Sequence, residues 1–346
     1  MTSNLRIVRD APLRQRNTFG VAARAPWLVS IDDPAALPQA LQSAPLRDGL
    51  ALVLGGGSNL LFAGDPDGAV LELSGRSVQV LRHEDEHAIV RADAGVQWHG
   101  FVLQSLALGY AGLENLALIP GTVGASPIQN IGAYGVEVRD FVQAVEAFEP
   151  ASGQWHRFDN AACGFGYRDS RFKQSPDRYL ISSVEFALPL RPALKLDYAG
   201  LGEELAAMGV DAPTPQNVAD AVIAIRRRKL PDPAVLGNAG SFFKNPILPA
   251  AQAEALLARH PAMPVFRGAD AGTRKLSAAW LIDACGWKGH RDGDAGVSPA
   301  HALVLVNHGG ASGQQLLDLA RRIAESVQAR FQVAIEPEPR IVGARW

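Results

Sequence analysis

A chain of 346 residues is longer than one hydrophobic core usually supports, so two or three subdomains are expected. An apolar share of 47% and a charged share of 20% are those of an ordinary globular protein, and a net charge of −2 gives no general attraction to nucleic acid or an anionic membrane. The first ten residues are too polar for a signal peptide, no apolar run reaches membrane-spanning length, and Cys163 and Cys285 lack metal or disulfide-framework spacing, so a soluble cytoplasmic protein is expected.

In chain order, Trp27–Ser30 reads as a strand, and Asp33-Pro34 supplies a cap and first-turn proline for a helix through about Leu41. The apolar strand Ala51–Leu54 runs directly into a glycine loop, Gly55, Gly56, Gly57, Ser58 and Asn59, which makes a βαβ unit. From Ser77 the pattern changes to strands at Ser77–Arg82, Ala88–Ala92, Phe141–Phe148 and Tyr179–Leu188. One helix interrupts them, with Trp98, Phe101, Val102, Ser105 and Leu106 on one face and Gly109 at its end. A long loop-like run, Ile119–Gly135, follows; loops of that length in compact domains tend to be functional.

Further on, Thr214 and Pro215 open a helix with Val218, Ala221, Val222 and Ile225 on one face. It ends in the basic run Arg226–Lys229 and a proline-fixed stop, where a domain boundary is expected. The remainder reads as α+β: a strand His301–Asn307, a helix Ser312–Phe331 and a strand Gln332–Glu336.

Two glycine loops in the first half, 55–59 and 121–135, can each present backbone N–H groups to a pyrophosphate. Neither fits GxGxxG, which disfavours a standard NAD-binding fold, but together they favour a dinucleotide clamped at two places. In Gly237–Pro246 (GNAGSFFKNP) the Ser241 hydroxyl lies between small residues and a Phe242-Phe243 pair that can keep water off a reacting carbon; a glycine-rich turn into a strand is the plain alternative. Arg168, in Phe165–Ser170, can hold a carboxylate in a bidentate way or simply pair with Asp169. Glu338 between two prolines suits a rigidly held acid, or a solvated strand edge. Tyr198 reads as a strand aromatic, Lys229 as a helix-terminal cation or a phosphate contact, and no histidine pair has catalytic-metal spacing, so no metal is expected.

Eight stretches, 17–20, 54–62, 112–121, 126–135, 165–170, 229–233, 237–246 and 336–338, resemble the UDP-N-acetylenolpyruvoylglucosamine reductase (MurB) family over nearly the whole chain, and the stretch around Tyr198 resembles its type I subgroup. The resemblance implies an α+β chain: a two-subdomain FAD-binding fold of the vanillyl-alcohol-oxidase/PCMH type, followed by an α+β substrate-binding domain. The expected division is 1–76, with the C-terminal strand 336–346, then 77–230, then 231–335. The family's catalytic trio falls on Arg168, Ser241 and Glu338. FAD contacts fall on Gly55, Gly56, Gly57, Ser58, Asn59, Gly121, Gly124, Ser126, Ile131 and Arg226, and substrate contacts on Tyr134, Tyr198, Lys229, Asn245 and His301. At His301 the chain departs from the glutamine of relatives.

The implied reaction is NADPH-dependent reduction of the enolpyruvyl group of UDP-N-acetylglucosamine enolpyruvate to UDP-N-acetylmuramate in peptidoglycan synthesis. Hydride passes by way of FAD to the β-carbon, and a proton passes from Ser241 to the α-carbon. The partners implied are this UDP-sugar and NADPH, acting on a monomer. Two other readings stay open: an FAD oxidase acting on an alcohol, and a nucleotide-binding module without chemistry.

Overall fold

Strands Arg24–Ile31 and Ala69–Leu73 run parallel and bury Leu28, Val29, Ile31, Val70 and Leu71 almost completely, as parallel strands covered on both faces must. The computed structural model describes residues 5–268 and 270–346. It divides into two compact units: Met1–Ala11, Ala25–Gly56 and Asp67–Arg228 in the first, and Pro12–Arg24, Gly57–Pro66 and Lys229–Trp346 in the second. The first four residues of the expected 1–76 subdomain lie outside the described residues.

Among the described residues the first unit holds two larger sheets and a short two-stranded ladder, Gly132–Ala133 with Val136–Glu137. In the smaller of the two sheets, the strand order is Leu5–Pro12, Arg24–Ile31, Ala69–Leu73, Leu50–Val53. Asp33 accepts from Ala35 N at 3.0 Å and starts a 3-10 turn, Pro34–Ala36, that continues as the helix Leu37–Leu41. The larger sheet is antiparallel, in the order Gln154–Asp159, Val142–Glu149, Leu180–Pro189, His87–Asp93, Val78–His83. Helix Trp98–Ala107 lays Trp98 and Phe101 against Phe186, with ring centroids 6.1 and 4.9 Å apart, and all three rings are closed to solvent. Burying one such ring contributes about 1.5–3 kcal/mol. Val218, Ala221, Val222 and Ile225 of helix Pro215–Lys229 enter the same core, and Thr214 caps that helix through the Asn217 amide N–H.

The second unit is built around helix Gly313–Phe331, opened by a reciprocal capping box between Ser312 and Gln315. Leu316, Leu319, Ala320, Ile323 and Val327 form its buried face. Strand Arg340–Val342 pairs in parallel with Leu60–Phe62, and two small antiparallel sheets complete the unit: Ile247–Pro249, Thr273–Leu276 and Val265–Arg267, then Arg291–Asp292, Ala295–Val297 and Leu305–Asn307.

Two expected strands are corrected. The strand expected from His301 begins only at Leu305, because residues 301–304 form a turn: Val304 N donates to His301 O and Leu303 N to His301 Nδ1. The strand expected over Gln332–Glu336 is absent. Gln332 takes a left-handed conformation (φ 59°) to end the long helix, and Glu336, Pro337 and Glu338 then pair with residues 242–244 ahead of the strand Arg340–Val342.

Candidate active site

In the first unit the two glycine loops meet backbone to backbone. A Cβ on Gly56 would lie 2.8 Å from Gly121 Cα, and one on Gly55 would lie 2.8 Å from Thr122 Oγ1. Among the described residues no acceptor takes the amide N–H of Gly55, Gly56, Gly121 or Thr122. Such a cluster of unclaimed donors on side-chain-poor backbone is what a pyrophosphate requires. The rest of the second loop is closed structure: Val123 N and Gly124 N donate to Val96 O and Ala94 O, and the Ser126 hydroxyl, fully buried, donates to Val123 O at 2.8 Å. Ile131 N donates to Ser126 O. Asn130, also fully buried, ties this loop to the next segment by donating to Gly166 O and Glu137 Oε2 at 2.9 Å each.

That segment carries Arg168, whose φ of +53° is uncommon for a side-chain-bearing residue and marks a constrained position. Its Nη2 donates to Gly132 O at 2.9 Å, its guanidinium lies 5.5 Å from the Tyr167 ring, and Lys173 Nζ donates to its carbonyl. The Asp169 carboxylate accepts from Ser170 N and from Gln174 Nε2 at 2.9 and 2.8 Å.

Tyr134, Tyr198 and Arg226 form a second group in this unit. The two tyrosine rings pack edge to face, 5.0 Å between centroids. Burial pushes the Tyr134 hydroxyl above its usual pKa, opposed by Arg226; burial in turn pulls the Arg226 guanidinium below its own, opposed by Tyr134. Arg226 Nε donates to Leu118 O at 3.3 Å, while Leu118 N donates to His99 Nδ1 at 3.1 Å. Tyr198 is not on a strand: residues 192–197 have no ladder partner among the described residues, and the Tyr198 carbonyl accepts from Leu201 N where helix Leu201–Ala207 begins. Gly200 (φ +89°) turns the chain there, which no β-strand permits.

In the second unit, residues 237–243 run between two neighbours. Gly237 and Ser241 bridge Asn307 and Val304 on one side, and Phe243 bridges Pro337 on the other. Phe242 N donates to Leu303 O and Glu338 N donates to Phe242 O, both at 2.7 Å, so Ser241 and Glu338 are anchored through adjacent positions. Phe242 and Phe243 are buried, and no described residue takes the Ser241 hydroxyl. Asn59 Nδ2 approaches Glu338 O at 3.4 Å, and Gly57 folds so tightly on Arg16 that a Cβ would lie 2.0 Å from its carbonyl oxygen. Asn245 Oδ1 accepts from Ala278 N at the start of helix Ala278–Ala284, and exposed Lys229 lies near enough His301 to lower its pKa, after burial, together with Lys288.

The sequence reading missed the polar residues that shape these segments. Asn238, almost fully buried, donates to Pro231 O and Leu236 O and accepts from Gly240 N, so it sets the turn that delivers Ser241. Asn307 holds Phe19 O in the same way. An asparagine within a glycine-containing turn was the available signal.

A family model described as the UDP-N-acetylenolpyruvoylglucosamine reductase C-terminal domain matches residues 232–342, and one described as an FAD binding domain matches 26–159. A UDP-N-acetylenolpyruvoylglucosamine reductase from Xanthomonas oryzae pv. oryzae is 63% identical over 336 residues, covering 97% of this chain and 99% of that protein. The chain belongs to the UDP-N-acetylenolpyruvoylglucosamine reductase family. Another reductase of that name, from Xanthomonas campestris pv. campestris, is 60% identical over 340 residues, 98% of this chain and 97% of that one. The crystal structure of the Thermus caldophilus reductase (MurB) superposes with a TM-score of 0.68 at 27% identity, covering 97% of this chain and 98% of that one. As a member of this reductase family the chain is a flavoprotein oxidoreductase with FAD as its cofactor, and its fold is the α+β, FAD-binding architecture expected from the sequence. The glycine contact and its unclaimed amides fit that cofactor. Among the described residues, no helix is long and apolar enough to cross a membrane.

Proposed function

We propose that this chain reduces the enolpyruvyl group of UDP-N-acetylglucosamine enolpyruvate to give UDP-N-acetylmuramate for peptidoglycan synthesis, with NADPH as reductant. Bound FAD supplies the hydride chemistry that links the nicotinamide to the enolpyruvyl β-carbon. The work of the protein is then at the α-carbon and its carboxylate. Arg168 stabilises the charge that spreads into the carboxylate, through a planar fork that matches it. Glu338, anchored through its backbone N–H, stabilises the same charge by a hydrogen bond from a proton that it keeps. Ser241 delivers a proton to the α-carbon; a hydroxyl is a weak acid, so position and exclusion of water must do the rest, and Phe242 and Phe243 are placed to exclude it. Lys229 holds a pyrophosphate common to both nucleotides, and Tyr134, Tyr198, Asn245 and His301 hold the UDP-sugar. FAD is held by Gly55, Gly56, Gly57, Ser58, Asn59, Gly121, Gly124, Ser126, Ile131 and Arg226. We further assign 1–76 with 336–346, and 77–230, to the flavin subdomains, 231–335 to substrate binding, and action as a cytoplasmic monomer.

The observation that carries this reading is the bracing of Ser241: a hydroxyl with no described partner, on a segment pinned on both sides, one position from the anchor of Glu338. The test is anaerobic. NADPH should bleach the yellow protein, and UDP-N-acetylglucosamine enolpyruvate should restore its colour. Reoxidation by oxygen alone, with no response to the enolpyruvyl nucleotide, would favour an oxidase; failure of NADPH to bleach would favour a binding module.

A further inference from the structure

Asn115 lies in the 3-10 turn Glu114–Leu116, is fully buried, and has no role in the reaction proposed above. Its amide nitrogen donates two hydrogen bonds of 2.9 Å, one to Tyr134 O and one to Lys195 O. Both acceptors are carbonyl oxygens, so only one orientation of the carboxamide works; the flipped form would set Oδ1 against two oxygens. In the working orientation Oδ1 is buried and has no hydrogen-bond partner among the described residues. An unsatisfied buried acceptor weakens a fold.

Each carbonyl that Asn115 holds belongs to the support of one tyrosine. Tyr134 carries the first, and its φ of +50° is an outlier for a bulky aromatic, kept only where the surroundings over-determine it. Lys195 stands three residues before Tyr198, in a segment without ladder partners whose Leu194 and Leu196 pack on the core below. The edge-to-face pair of Tyr134 and half-exposed Tyr198 therefore has one buried amide behind both of its members.

The geometry points to Asn115 as a positioning residue that presets the Tyr134–Tyr198 pair for the UDP-sugar. It rests on the assignment of those tyrosines to substrate binding. The test is a double-mutant cycle of Asn115→Ala and Tyr198→Ala in flavin-loaded enzyme, with KM and kcat for UDP-N-acetylglucosamine enolpyruvate. Asn115→Ala should raise KM about three- to tenfold, the range of a lost neutral hydrogen bond, with kcat within about twofold. That rise should shrink in the Tyr198→Ala background, where only the support of Tyr134 remains to be lost. Trypsin should also cut after Lys195 faster in the Asn115 variant. If Tyr198→Ala leaves KM unchanged, the substrate assignment beneath the inference falls. If Tyr198→Ala raises KM while Asn115→Ala does not, or adds the same factor in both backgrounds, the positioning role is overturned. Asn115→Ser carries the same test should alanine not fold; failure of both to yield flavin-loaded protein makes Asn115 a stability residue and overturns the inference.

Discussion

Gly56→Ala tests the flavin cradle directly. The added methyl would stand 2.8 Å from Gly121 Cα and 3.3 Å from Gly121 C. Carbon atoms rest at about 3.5–4.0 Å, so the Gly121 backbone would have to retreat by roughly 0.7 Å or more. Gly121 itself has a φ of +124°, a region that only glycine enters freely, so the displaced loop has no alternative side-chain arrangement to absorb the shift. Overpacking of this kind costs about 1–3 kcal/mol. Because the amides at 55, 56, 121 and 122 are those assigned to the pyrophosphate, the cost should appear as flavin affinity reduced about 5- to 150-fold. The ratio of flavin to protein absorbance after gel filtration, followed by titration with FAD, measures it. Gly100→Ala is the control: it is exposed in helix Trp98–Ala107 with nothing near the new methyl, and should hold flavin normally while gaining about 0.5–1 kcal/mol of stability. Wild-type flavin affinity in Gly56→Ala, or equal loss in Gly100→Ala, would refute the cradle.

Ser241→Ala should leave NADPH bleaching near the wild-type rate and slow reoxidation by the enolpyruvyl nucleotide at least about 100-fold, with Ser241→Cys retaining more; a normal stopped-flow reoxidation rate in the alanine variant would leave Ser241 a turn residue. Arg168→Lys keeps the charge but not the fork, so the oxidative half-reaction should slow markedly while flavin content holds, and an unchanged rate would return Arg168 to a surface role. Stability should also respond to acid through Glu149. Hydrogen bonds from Ser152 and Arg178, with His156 adding, pull this carboxyl from the ordinary 4.5 down to about 2. A depressed folded pKa contributes stability that is fully present above the unfolded value and is lost as pH falls from there toward about 2. The Tm gap between wild type and Glu149→Gln should therefore be constant above about pH 5 and close on acidification; a gap that stays constant down to pH 3 would contradict the network.

How far the sequence was legible follows from which forces left a local mark. Periodicity and caps located the helices at 98–107, 215–229 and 313–331, which bury regular apolar faces; four of the five strands of the larger sheet were also read in advance, three of them well buried and the edge strand Val78–His83 mostly exposed. The strand at Leu5–Pro12 escaped notice, since most of its residues are exposed and show no alternation. Tyr198 misled in the opposite direction: Leu194 and Leu196 alternate as a strand would, but they face the core without a partner strand. Among the site residues, glycine loops and the Ser241 segment were conspicuous by composition. Asn115, Asn238 and His99 were not, since what matters about them is which distant carbonyl or amide they meet, and one chain's sequence does not record that.

The neighbourhood of Ser241 also decides what kind of serine it is. Val304, its bridge partner, closes a turn that begins at His301, which brings a histidine and a serine onto paired segments, as a hydrolytic dyad would. The imidazole is not available as a base. Leu303 N donates to Nδ1 at 3.2 Å, so the single proton of the neutral ring is on Nε2 and its one basic lone pair is engaged by that backbone N–H. Burial first, then Lys229 and Lys288, holds the ring below its usual pKa, which keeps it neutral. A base beside Ser241 would draw off the proton before a carbanion formed; a neutral ring whose lone pair is so engaged does not. The same N–H explains the glutamine-to-histidine departure in chemical terms, because both side chains end in a neutral N–H donor suited to an anionic nucleotide. For the reaction proposed above, that ring would leave Ser241 its hydrogen until carbon takes it, which is the behaviour a reductase asks of a serine and a hydrolase does not.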